Sequence, residues 1–145
     1  MRTHLVALLA LSSVVTCAKP PQVSVGRPAA PFVGTDWKLF ELHELPTIAG
    51  PYHQVPATFR IDSTTVTGFT GCNRVSGPVT YFNGHIKFGA LAVTRMACLD
   101  TNAGRVEAGF LNALNAAERV NVVGDTLILS THSGDLARFV VTKPR

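Results

Sequence analysis

Beyond residue 56 the chain alternates apolar and polar residues in short runs, broken at intervals by Gly, Asn, Asp and Ser. A period of two marks a strand with one buried face. ATFRI (57–61) and TTVTGFT (64–70) make one such pair, joined through Asp62 and Ser63, residues suited to a tight turn. VTYF (79–82) and HIKF (85–88) flank Asn83 and Gly84, a pair that accepts the positive φ angles of a type I′ hairpin turn. RVNVV (119–123) and TLILST (126–131) are joined by Gly124 and Asp125, and LARFVVT (136–142) returns after His132 to Asp135, so the chain ends in a meander. Upstream, DWKLFEL (36–42) opens the folded part on Trp37, Leu39 and Leu42, and a Pro- and Gly-rich stretch, 45–56, leads to the first hairpin.

The rhythm changes between the two β regions. Val106, Phe110, Leu111, Leu114 and Ala117 recur at three- and four-residue intervals, which predicts a helix from about Ala103 to Ala117. Arg105, Asn112 and Asn115 fall largely on its other faces, and Thr101 or Asn102 can cap its start. Its polar face is Asn-rich, not Lys-rich, so a helix packed on one mouth or side of the sheet is expected in preference to one lying on a membrane. Seven or eight short strands and one amphipathic helix give a mainly β fold: a small antiparallel barrel, closed or nearly so because closure removes exposed strand edges. A sandwich is the alternative. The expected interior is Phe59, Phe69, Phe88, Leu91, Leu127 and Phe139.

The first residues follow different rules. Arg2, an apolar run from Leu5 to Leu11 and small residues before Cys17 have the layout of a secretory signal peptide over 1–17. The run is shorter than the ~20 residues a helix needs to span a bilayer. Val14, Val15, Thr16 and Cys17 resemble a lipobox, which would make Cys17 a lipidation site and anchor the chain to a membrane. Thr16 departs from the usual Gly, Ala or Ser, so cleavage after Ala18 and plain secretion stay open. Ala18 after Cys17, in place of Asp, fits an outer-membrane lipoprotein facing the periplasm. Residues 18–34 hold four of the nine prolines and read as a semi-extended linker, able to reach about 50 Å at full extension. A single domain, 35–145, remains.

Composition narrows the classes. The net charge of +4 includes Arg2 of the leader, and the other Lys and Arg residues are scattered singly, so no nucleic-acid footprint is visible. The five histidines, at 4, 43, 53, 85 and 132, lack metal-ligand spacing. There is no nucleophile elbow, phosphate-cradling loop or His-Glu-x-x-His. No catalytic residue, metal or cofactor is expected.

The most specific stretches are GFTGCNRVSGPV (68–79) and AVTRMAC (92–98). Gly68, Gly71 and Gly77 interrupt good strand sequence, where glycine marks a bulge, a bend or a close backbone approach. Asn73 tolerates a left-handed backbone and can lock the turn after Cys72. Arg74 and Arg95 are either exposed recognition residues or ion-pair partners of Asp100 or Glu107. With Trp37-x-Leu39 before them, and the Glu107, Phe110, Leu114 helix and Gly124-Asp125-x-Leu127 after, these stretches resemble the META domain, or HslJ-like, family. The motif positions are Trp37, Gly68, Gly71, Cys72, Asn73, Gly77, Thr94, Met96 and Cys98, and the resemblance covers about Thr35 to Val141.

The resemblance implies a lipocalin-like barrel with a helix, found in bacterial envelope lipoproteins or secreted proteins and linked to heat shock and antibiotic tolerance, with no established enzymatic activity. In an exported chain Cys72 and Cys98 are expected to lie together as a disulfide, two buried thiols being the alternative. Three non-catalytic roles follow. One is an envelope stress module that contacts another envelope protein. A second is a carrier holding a small lipophilic ligand in the barrel. The third is a hydrolase inhibitor that presents a rigid loop.

Overall fold

The computed structural model describes residues 28–44 and 57–142; the leader, Cys17 and the connection 45–56 lie outside them. Nine strands and one helix follow in the order β1 (Asp36–Leu42), β2 (Thr58–Asp62), β3 (Thr65–Phe69), β4 (Arg74–Phe82), β5 (His85–Phe88), β6 (Ala92–Val93), α1 (Thr101–Ala116), β7 (Arg119–Val123), β8 (Thr126–Ser130) and β9 (Asp135–Val141). Every pairing is antiparallel. The ring runs β3-β2-β1-β9-β8-β7-β5-β4 and shuts where β4 pairs back to β3, making a closed eight-stranded barrel. β6 is a two-residue continuation of β5 along β4, set off by the bend at residues 89–91. The seam between β5 and β7 is narrow: His85 faces Arg119, flanked by Ile86 N–H on Glu118 O and Val120 N–H on Gly84 O.

Turn chemistry sets these registers. Asn83 and Gly84 have φ of 49° and 78°, as a type I′ turn requires. In the first hairpin Asp62 pairs with Thr65, so the turn is Ser63–Thr64, one residue later than the sequence pattern places it, with Ser63 at φ 58°. Gly68 faces Phe59 across β2 and β3, where the two backbones approach closely. A Cβ there would overlap the Thr58 carbonyl oxygen and sit 3.1 Å from Phe59 Cα, both backbone atoms that cannot swing away. Gly68→Ala is therefore expected to cost about 1 to 3 kcal/mol, read as a lower urea midpoint with unchanged m.

The interior is filled by alternate residues of every long strand. Trp37, Phe59, Ile61, Val66, Leu127, Leu129 and Phe139 are at most 1% exposed. Helix α1 contributes Val106, Phe110 and Leu114, and Phe110 meets Phe59 and Phe139 edge to face at 6.4 and 5.9 Å. The helix begins two residues earlier than the apolar periodicity indicates, because Asp100, not Thr101 or Asn102, is the cap: its carboxylate accepts from Asn102 N–H at 2.8 Å. Two residues expected inside are not fully there. Phe69 and Leu91 are half-buried, Phe69 because its register pairs it with Thr58 and Arg74 on the outer face, beside an open groove of about 620 Å³.

The last residues of the stretch read as linker lie against the barrel. Ala30 N–H bonds Gly124 O, Gly34 N–H bonds Ile61 O, and Trp37 Nε1 donates to Phe32 O at 3.1 Å. Phe32 in turn meets Tyr81 edge-on at 5.1 Å.

Candidate functional site

The two specific sequence stretches meet at the end of the barrel where β3 turns into β4. The left-handed residue of that turn is Gly71, φ 97°, and not Asn73 as the turn-locking reading had it. Asn73 is instead 3% exposed and aims its side chain inward, where its amide binds other segments on both sides. Its Oδ1 accepts from Met96 N–H at 2.8 Å and from the Thr94 hydroxyl at 2.9 Å. Its Nδ2 donates to Glu107 Oε1 at 3.1 Å, lies 3.5 Å from Met96 O, and approaches the sulfurs of Cys72 and Cys98 at 3.5 and 3.8 Å. A planar amide with donors on one side and an acceptor on the other can hold two chain segments at once.

The second half of the site is Thr70 with Glu107. Thr70 is fully buried; its hydroxyl accepts from Asn73 N–H at 2.9 Å and donates to Glu107 Oε2, which also receives Asn73 N–H at 3.2 Å. A partly buried carboxylate thus has partners on both oxygens. The disulfide Cys72–Cys98 closes over this network with a Cα separation of 5.7 Å. Three pieces distant in sequence are fastened together: the β3–β4 turn, the segment after β6, and α1.

This arrangement gathers Cys72, Asn73, Thr94, Met96 and Cys98. Trp37 sits apart from it in the barrel core, while Gly68 and Gly77 shape the strands leading in. A Cβ on Gly77 would come within 2.8 Å of Ala90 O and Leu91 Cδ2, so β4 needs glycine where the bend after β5 crosses it. Thr70 was missed by sequence reasoning, and Glu107 was noticed as a helix residue and as a possible ion-pair partner of Arg74 or Arg95, not as a partner of Asn73 and Thr70. Glu107 did carry a signal: it occupies the stripe of Ala103, Phe110 and Leu114, where a charge must find partners.

Cys72, Cys98 and Glu107 are also the only group of three potential metal ligands among the described residues, all within 4.8 Å, but the disulfide occupies both sulfurs. Arg74 and Arg95 pair with neither Asp100 nor Glu107: the first caps α1 and the second serves Thr70 and Asn73. The ion pairs of the described surface centre on Arg60 and Arg138, and His132 Nδ1 lies 3.5 Å from Glu118 Oε2. The pKa of Arg60 is raised, first by its hydrogen bond to Asp62 and then by the charges of Asp62 and Asp36, and that of Arg138 first by its bond to Asp135. Both are exposed clamps on the outer face of the barrel.

Residues 30–144 match the META domain family over nearly the whole folded part. The chain belongs to the META domain family. An NMR structure of a protein from Burkholderia xenovorans is similar to this META domain, with a TM-score of 0.63, 28% identity, and coverage of 78% of this chain and 85% of that one. A crystal structure of a DUF4847 family protein from Bacteroides vulgatus shares the fold at a TM-score of 0.56 and 13% identity, over 79% of this chain and 96% of that one. No curated protein matches the META domain chain in sequence.

Proposed function

We propose that this META domain protein is a non-enzymatic, exported module of the cell envelope. On this reading it is held to the outer membrane through Cys17 and engages another envelope protein under stress such as heat or antibiotic exposure. The observation that carries the reading is the use of the family motif. Asn73, Thr94, Thr70, Glu107 and the disulfide bond to one another, so the specific residues of the sequence build a rigid end of the barrel and leave none of their number as a free nucleophile or base. On that end the loop after β6 has its backbone fixed at Met96 yet exposes the Met96 side chain by 59% and Leu99 fully. An apolar loop with a pre-set backbone loses little entropy on binding, which suits it to a protein partner. A carrier role has less support, since aromatic and aliphatic side chains occupy the space a ligand would need.

The test has two arms. Intact-mass analysis of the chain from its native envelope should give a protein beginning at Cys17 with acyl groups and two hydrogens short of the dithiol form. An unprocessed chain in the cytoplasm overturns the reading, and a non-acylated chain beginning at Lys19 replaces the anchor with plain secretion. Photo-crosslinking from positions 96 and 99 should yield a discrete envelope adduct that position 87, on the barrel wall, does not. Equal labelling from all three removes the loop as the contact.

A further inference from the structure

On the outer wall of the barrel Phe69 stands between Thr58 on β2 and Arg74 on β4, its two cross-strand partners. Lys38 on β1 follows Thr58 in the same row, and the next row holds Asp36, Arg60, Thr67 and Ser76. Directly paired residues present their side chains on one face, about 5 Å apart, so the half-buried ring has a cation on either side along its row. The open groove of about 620 Å³ lies over these rows, with Ala92 to Thr94 along its β6 side. A depression of that size falls in the range of small-ligand sites.

The charges of the groove do not cancel. Asp36 and Asp62 both pair with Arg60, at 3.5 and 2.9 Å. Neither Lys38 nor Arg74 has an acidic partner among the described residues. Three cations against two acids leave one net positive charge, and it falls in the row of Phe69. The backbone under Arg74 is fixed: its N–H donates to the Thr94 hydroxyl at 3.0 Å, and its carbonyl accepts from Thr94 N–H.

A guanidinium on a fixed backbone beside an open ring suits a planar carboxylate joined to an aromatic body, the fork taking one half and the ring the other. A single net charge favours a monoanion over a phosphate dianion. We propose that this groove binds a monoanionic aromatic carboxylate, with the carboxylate on Arg74 and the aromatic body on Phe69. The carboxylate is that of a free acid or of the last residue of a peptide. The site uses neither the exposed side chains of Met96 and Leu99 nor the filled barrel interior, so it goes beyond the envelope reading and stands or falls apart from it.

Amide NMR of the isotope-labelled full chain tests this, with naphthoate as the free acid and acetyl-Gly-Gly-Phe as the peptide end. Saturable shifts should map to the groove residues 67–69, 74–76 and 92–94, with a Kd of about 1 mM for naphthoate, and the tighter of the two ligands names the source. Naphthamide, uncharged and of the same shape, should bind about tenfold more weakly than naphthoate. Arg74→Gln should weaken naphthoate about tenfold and erase its advantage over the amide, while Phe69→Thr should weaken acid and amide alike by about the same factor. Lys87→Gln, which removes the same charge from β5, should change nothing. Thermal unfolding of the three variants checks that the barrel is intact, and the comparison of acid with amide needs no variant at all. No saturable shift in the groove, equal affinity of the parent for acid and amide, or equal loss from Arg74→Gln and Lys87→Gln overturns the site.

Discussion

Replacing Asn73 by alanine is expected to lower the stability of the domain by about 3 to 5 kcal/mol, which for a domain of this size moves Tm down by roughly 15 °C or more. The side chain is 3% exposed. Its loss takes the partner from Met96 N–H and from Oε1 of the half-buried Glu107, and removes one of the two bonds of the Thr94 hydroxyl, which still accepts from Arg74 N–H. A buried group left unpaired costs more than the net worth of the bond it made, about 1 to 3 kcal/mol each, and more for a charge. Asn73→Asp keeps the shape but removes the Nδ2 donors and sets a carboxylate beside Glu107, so it should destabilise at least as much at neutral pH. Urea unfolding of the parent and both variants measures this. A loss below 1 kcal/mol for alanine would mean that the loop and helix hold their places without the amide.

How far the sequence foretold this arrangement differs between the fold and the site. Hairpin turns are local events, and Asn83-Gly84 announced its geometry because few other pairs accept positive φ at both positions. The helix was legible because its buried stripe is long, while its first turn was not: Thr101 and Asn102 are exposed and carry no apolar signal, so the role of Asp100 depended on backbone geometry. β6 has two residues and falls below any periodic signal. Phe69 misled for a simpler reason. Aromatic residues in strands are usually inside, but Gly68 takes the inward position beside it, and alternation then turns Phe69 out. The buried site was legible only as a cluster of motif residues. Thr70 and Glu107 are 37 positions apart, and nothing in a single sequence encodes that a threonine at a strand end will meet a helix carboxylate.

Removing the disulfide by Cys72→Ser with Cys98→Ser is expected to cost about 3 to 4 kcal/mol, the chain-entropy value for the 26-residue separation it closes. A small domain with a total of about 5 to 15 kcal/mol survives that loss but with a thin margin. The more informative result is its coupling to Asn73. The amide and the disulfide bind the same two strips of chain, residues 70–73 and 94–98, and Nδ2 lies against both sulfurs. If either fastener is enough to hold the strips in register, removing the second costs more than removing it first. If the strips separate once one is gone, the second removal costs less. The geometry favours the latter, because the bonds of Asn73 need Met96 within a few tenths of an ångström, a tolerance that a freed loop at residues 94–99 does not keep. A triple variant should therefore lose less than the sum of its parts by about 0.5 to 3 kcal/mol. Unfolding curves of the parent, Asn73→Ala, the serine pair and the triple variant close the cycle; strict additivity would mean that the disulfide and the amide network act independently.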